Sequence, residues 1–198
     1  MKIGQKVAGS LAVILFMMFA LGGYSLWSAT RLQDDVRIVQ SANMRALTAA
    51  KAENEYTGAV LEIRRYIADG DEQYSKNFEI KMTNVLELEK QLKAATPNDK
   101  AGTVNKLIED TEVYKNGVVQ KLIPILRDQY KEKTAGNTER TAQLAQASGA
   151  VTRELTPFAQ SIQKTLHAIV DENAAIASAS AEAEYASLAT RRVSTIVV

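Results

Sequence analysis

Few residues of this chain have the type and spacing for chemistry, and the most suggestive are the neighbours Arg64 and Arg65. A guanidinium presents a planar fork of donors that matches a carboxylate bidentately and stays charged at every physiological pH. Arg64 follows the apolar Ile63 and can face a subunit interface. The competing reading of either arginine is a solvated side chain, or one paired with Glu62 or Asp69. Catalysis has a thinner base. His167 is the one histidine and cysteine is absent, so neither an imidazole–thiolate metal set nor a cysteine nucleophile can be assembled. His167 follows Leu166 and is expected on a helix surface, exposed or half-buried. Glu53 with Glu55, and Glu87 with Glu89, sit two apart and so point to different helix faces, where solvation explains them. Neither a glycine-rich phosphate loop nor a G-x-S-x-G elbow occurs. The expectation is a binding protein and not an enzyme, with no cofactor and no metal.

Charge narrows the partners. The 198 residues hold 24 basic and 23 acidic side chains, and Lys2, Lys6, Arg191 and Arg192 lie at the two ends. Residues 31–190 therefore keep 20 basic against 23 acidic groups, which argues against nucleic acid. Abundant Ala, Glu, Lys, Leu and Gln, with three prolines, favour helix throughout, and no strand-like alternation appears.

The elements that must position the arginines follow from apolar spacing of three and four. A first helix, about 31–69, carries the seam Val36, Val39, Ala42, Ala46, Ala49, Glu53, Tyr56, Val60, Ile63 and Ile67. Gly70 can take the left-handed C′ conformation and Asp71 can cap a second helix, 72–95. That helix has the seam Tyr74, Phe78, Lys81, Val85, Leu88, Leu92 and Ala95, and Thr96-Pro97 ends it. A third, 99–132, reads Val104, Ile108, Thr111, Tyr114, Val118, Leu122, Ile125 and Gln129, with a kink predicted between Gln120 and Pro124. Gly136-Asn137 marks the next turn, and a fourth helix covers 138–190. Four helices with short connections predict an all-α, antiparallel up-down-up-down four-helix bundle over 31–190. Glu53 and Glu172 interrupt their seams and must reach solvent, pair with a base such as Lys51 or Arg45, or specify register.

Val7–Thr30 is a run of 24 residues without a formal charge, preceded by Lys2 and Lys6. As a helix it reaches roughly 36 Å, against a hydrocarbon core of about 30 Å. It is expected as an N-terminal transmembrane helix at 7–30, with 1–6 cytoplasmic and the bundle extracytoplasmic at a bacterial plasma membrane. A cleaved signal peptide fits less well, because its apolar middle is usually about 7–15 residues and Trp27 sits where a small residue is needed. Residues 191–198 read as the start of a truncated second transmembrane helix, and the lipid bilayer becomes an expected partner.

An anchored four-helix bundle with Arg64-Arg65-Tyr66-Ile67-Ala68-Asp69-Gly70-Asp71 at its first turn resembles the sensory half of bacterial methyl-accepting chemotaxis proteins. The resemblance covers nearly the whole chain. It implies a homodimer that receives a small-molecule ligand, such as an amino acid or organic acid, or docks a ligand-binding protein. It also implies that the ligand is held by arginine from the first helix and groups on the fourth, here Arg64, Arg65, Arg153, Thr156 and Phe158. Occupancy would be passed on by displacement of helix four, whose small residues Ala174–Ala181 suit sliding. Sensor regions of histidine kinases or diguanylate cyclases, and membrane-anchored structural bundles, share this architecture and stand as alternatives.

Overall fold

The computed structural model describes the backbone of residues 3–196 and the side chains of residues 36–182, with Met18, Phe19, Gly22 and Gly23 besides. The chain is all-helical, with 93% of it in helix and no strand among the described residues. In order come α1 (Ile3–Asp69), α2 (Glu72–Ala95), α3 (Ala101–Gly117), a π-helical turn (Val118–Leu122), α4 (Ile123–Thr134) and α5 (Thr138–Ile196). Since α3, the π turn and α4 follow without a break, there are four helical rods. By contacts the chain divides into Met1–Ser41 with Ala177–Val198, and Ala42–Ile176. The second unit carries the core and all that follows.

Local chemistry sets the helix ends. Gly70 has φ +72°, and its N–H donates to the Tyr66 carbonyl at 2.8 Å, closing α1 as the left-handed position requires. A Cβ on Gly70 would also lie 2.8 Å from the Tyr130 ring, so the turn has room for glycine only. Asp71 caps α2 by accepting the Gln73 N–H at 2.9 Å. Gly136, at φ +76°, closes α4, and Asn137 accepts the Arg140 N–H at 3.2 Å to open α5. The third rod starts at Ala101 and not at 99, because Pro97 to Lys100 form a turn closed by a 3.0 Å bond.

Pro124 acts by slipping the hydrogen-bond ladder. Its ring would meet the Gln120 carbonyl in a regular helix. The Ile123 N–H instead reaches back five residues to the Val118 carbonyl, which makes the π turn. One extra residue in that turn rotates everything after it. The buried row beyond Val118 therefore reads Leu122, Ile123 and Leu126, in place of the expected Leu122, Ile125 and Gln129.

The core of the second unit draws on every rod, with Tyr66, Phe78, Met82, Leu92, Leu107, Ile162 and Leu166 its largest fully buried side chains. On α1 the buried row is Ala42, Ala49, Ala52, Tyr56, Ala59, Ile63 and Tyr66. It keeps the expected Ala49, Tyr56 and Ile63 but takes Ala52, Ala59 and Tyr66 where Glu53, Val60 and Ile67 were expected. Both rows flank the same stripe; the chosen one sets two alanines inward, which allows close packing, and gives Tyr66 a hydroxyl partner in Glu72 at 3.1 Å. On α2, Met82 replaces Lys81 and Glu89 replaces Leu88 inside.

Glu89 corrects the expectation of a solvated carboxylate. It falls three and four residues from Leu92 and Val85, on the buried face, and is fully enclosed. Oε1 accepts the Thr111 hydroxyl at 2.7 Å, and Oε2 has no partner. Burial, outweighing that hydrogen bond, pushes its carboxyl up to about 8. Two other buried acids are partnered: Asp110 accepts from Lys106 at 2.6 Å and Ser161 at 2.7 Å, and Glu62 from Arg65 at 3.2 Å and Asn77 at 3.3 Å.

The membrane assignment is overturned. Among the described residues no helix is long and apolar enough to cross a membrane. From residue 36 onward α1 bears Arg37, Arg45, Lys51, Glu53, Glu55, Glu62, Arg64 and Arg65, so it offers no sufficiently uncharged window. The expected location of the bundle outside a plasma membrane falls with that finding. The 7–30 run, apart from Met18, Phe19, Gly22 and Gly23, the 1–6 segment and the proposed second span at 191–198 lie outside the residues whose side chains are described.

Glu89 makes stability depend on pH in a definite sense. Between the ordinary carboxyl value of 4.5 and about 8 the folded chain keeps a proton that the unfolded chain has lost. Stability from this group therefore falls as pH rises through that window. Glu89→Gln is expected to raise stability at about pH 8 by a few kcal/mol and to leave it little changed near pH 4. Urea denaturation of both proteins across this range measures it; parallel pH profiles would contradict the assignment.

Candidate functional site

The site is built on α1, where spacing of three and four puts Tyr56, Val60, Ile63, Arg64 and Ile67 along one strip. Tyr114 and Val118 approach from the third rod, Thr152, Leu155 and Thr156 from α5, and the residues enclose a cavity of about 310 Å³. Gly117 permits the approach: a Cβ there would overlap the Leu155 side chain. The tyrosines are fixed by their neighbours. Tyr56 and Tyr114 meet edge to face at 5.9 Å and 60°, and Tyr114 meets Phe78 at 6.3 Å.

The polar groups of the cavity differ in how far they are satisfied. The Tyr56 hydroxyl donates to the Ala159 carbonyl at 3.0 Å. Thr152 and Thr156 donate to the Ser148 and Thr152 carbonyls at 2.9 and 2.8 Å, so their protons are committed to their own helix. The Tyr114 hydroxyl and the Arg64 guanidinium have no hydrogen-bond or ion-pair partner among the described residues. Burial pushes both phenols up, and the nearby Arg64 charge partly offsets this at Tyr114. Both are neutral donors at physiological pH. What remains is one free cation, one free hydroxyl and the amides of Gln160 and Gln163 in a mainly apolar lining, an arrangement that suits a carboxylate.

Of the five residues singled out in the sequence, Arg64 and Thr156 meet at this cavity. Arg65 does not, since it pairs with Glu62 and its guanidinium lies 5.9 Å from the Tyr74 ring centre. Arg153 is exposed outside the lining, and Phe158 is half-buried against the core. Tyr56, Tyr114, Gln160 and Gln163 join the site instead. The two tyrosines stood in their seams as core residues; the signal that could have raised them was a phenol at a buried position, which needs a polar neighbour.

Other charged clusters are already paired. Around a second cavity of about 280 Å³, Arg45 donates to Asn173 at 2.8 Å and to the Ala95 carbonyl at 3.3 Å, and Lys100 pairs with Glu172. At the glycine turns Arg127 forks onto both Glu72 oxygens at 2.7 Å, holding that carboxyl down to about 2, while burial pushes Tyr66 up to about 12. Glu53 lies 3.5 Å from His167, which is exposed and 3.5 Å from Asp171. Glu53, half-buried beside His167, and Glu172, paired with Lys100, thus use neither Lys51 nor Arg45. Among the described residues no three His, Cys, Asp or Glu side chains are placed to hold a metal ion.

The two tyrosines separate structure from site. Tyr56→Phe removes a buried hydrogen bond and is expected to cost about 1 kcal/mol, whereas Tyr114→Phe is expected to change stability by less than about 0.5 kcal/mol. Denaturant melts of both variants measure the contrast; equal losses would show that the Tyr114 hydroxyl is engaged in the fold. Compared with known proteins, the chain matches no family model, no curated protein and no solved structure, so the functional reading rests on the geometry.

Proposed function

We propose that the chain is the ligand-sensing region of a methyl-accepting type of chemotaxis receptor, a binding domain without catalytic activity whose ligand is a small carboxylate, an amino acid or organic acid. The observation that carries this is the unpartnered Arg64 guanidinium at a cavity shared by α1, α3 and α5. Arg64 is exposed and solvated in the free chain, and at a mainly apolar lining with no acid in it the guanidinium stays available to a counter-charge that arrives with the ligand.

The finer architecture proposed is an antiparallel up-down-up-down four-helix bundle. Its support is that contact partners run in opposite directions along the rods. Arg45, Glu53 and Tyr56 face Asn173, His167 and Ala159; Thr83 and Glu89 face Lys115 and Thr111; Asp110 and Lys121 face Ser161 and Glu154. A homodimer is proposed on the exposed apolar stripe of Met44, Leu47 and Leu61, which share one heptad-spaced face of α1.

Signalling in this reading is a population shift. A ligand that touches Arg64 on α1 and Thr156 on α5 favours whichever helix packing brings both groups to it, and only by its difference in affinity for the two packings.

A thermal-shift screen of the chain against amino acids, organic acids and aromatic acids tests the binding. A true ligand at about 100 times its Kd stabilises by roughly 2.7 kcal/mol, a rise of several degrees. Arg64→Ala is expected to weaken that ligand about tenfold or more. No response from any class would reject direct small-molecule sensing in favour of a docked ligand-binding protein. Displacement is tested separately: the chain has no cysteine, so introduced pairs across α1 and α5 report cleanly. At least one pair is expected to change its oxidation rate with ligand, and unchanged rates at every pair would reject a helix shift.

A further inference from the structure

Resting on the carboxylate site proposed above, we infer that this cavity selects monocarboxylates with an apolar, ring-sized body and discriminates against zwitterionic amino acids, dicarboxylates and sugars. The charge complement of the wall makes the selection. Fourteen residues line the cavity, and Arg64 is the one charged residue among them. The cleft is open on the side of Arg64, Thr156 and Gln160, and an α-ammonium carried in beside a carboxylate would give up part of its water at the apolar wall and find no carboxylate there in exchange. The amides of Gln160 and Gln163 offer it dipoles, which do not replace a counter-charge. A second carboxylate fares no better, because the lining holds no second cation.

The remaining surface defines the body of the ligand. Val60, Ile63, Ile67, Val118, Leu122 and Leu155 supply most of the wall, so contact with the ligand is mainly apolar. The threonine hydroxyl protons are spent on helix carbonyls, which leaves the Tyr114 hydroxyl and the glutamine amides as the neutral donors on offer. A polyhydroxylated ligand would bury more polar groups than the wall can satisfy. About 310 Å³ lies at the small end of ligand sites and suits one ring with a short acidic arm.

Isothermal titration of the full chain with benzoate, phenylacetate, phenylalanine, aspartate, succinate and glucose separates these possibilities. Phenylacetate or benzoate is expected to bind at least tenfold tighter than phenylalanine, with aspartate, succinate and glucose weaker still. Arg64→Gln is expected to cost that acid tenfold or more while leaving the thermal melt in place, since Arg64 is exposed and makes no bond in the fold. Gln160→Glu, at an exposed wall position, adds the missing counter-charge and is expected to narrow the gap between phenylalanine and phenylacetate. Phenylalanine or aspartate binding as tightly as phenylacetate, with dependence on Arg64, would overturn the selectivity and leave the carboxylate site standing. Binding of phenylacetate that ignores Arg64→Gln, or no binding of any compound, would overturn both.

Discussion

The contact on which the rest depends is the one between Gly117 and Leu155. Leu155 fills the space that a side chain at 117 would need, so α5 lies against the third rod as closely as a backbone allows. Three consequences follow. Leu155 enters the core beside Val118 and Leu122. Tyr114, one turn earlier, is brought against Tyr56 and Phe78. Thr152, one turn before Leu155, and Thr156, the residue after it, line the cavity with Arg64. Immediately after Gly117 the rod passes into the π turn that accommodates Pro124, and the inserted residue swings Ile123 and Leu126 inward. A glycine and a proline seven residues apart thus fix both where the rods touch and which residues face the core beyond that point.

Buried polar groups then specify register more than they add stability. Glu89 with Thr111, Asp110 with Ser161, and Glu62 with Asn77 each join two different rods. A slip of one residue in any rod would strand a buried acid, which is far more costly than shifting one alanine against another. The acids answer pH in opposite senses. Glu89, raised by burial, favours the fold at lower pH; Glu72, lowered first by the Arg127 fork, contributes stability above the ordinary carboxyl range that is lost as pH falls toward 2. Glu72 is nearly half exposed, so solvent screens much of its share, and the enclosed Glu89 has the larger influence.

How much was legible in the sequence follows from the range of each interaction. The all-helical class and the turns at Gly70-Asp71 and Gly136-Asn137 were readable because these residues act within a few residues of themselves, whereas the start of the third rod, expected at 99, lies at Ala101. The buried row of α1 was readable only in part. Tyr56 and Ile63 sit at its centre, but the choice between Ala52, Ala59 and Tyr66 on one side and Glu53, Val60 and Ile67 on the other depends on which neighbour packs there. Adjacent residues such as Arg64 and Arg65 stand about 100° apart on a helix. Arg65 is drawn off by Glu62 of its own helix and by the Tyr74 ring of another rod, and the second of these is visible only in three dimensions. Glu89 was hidden by its pairing in sequence with Glu87, although its spacing to Val85 and Leu92 already placed it on the inner face.

The same geometry bears on how binding could become a signal. Arg64 keeps its charge at the cavity without a partner, whereas Arg45 and Arg127, elsewhere in the same unit, are tied to other rods. At the cavity α5 is tied to the third rod by Lys121 with Glu154 and by Ser161 with Asp110, and to α1 by the Tyr56 hydroxyl on the Ala159 carbonyl. A bidentate ion pair fixes direction in a way that apolar contact does not. In the proposed ligand-bound state a carboxylate on Arg64 would add a directional contact beside the Tyr56 hydroxyl, between α1 and α5.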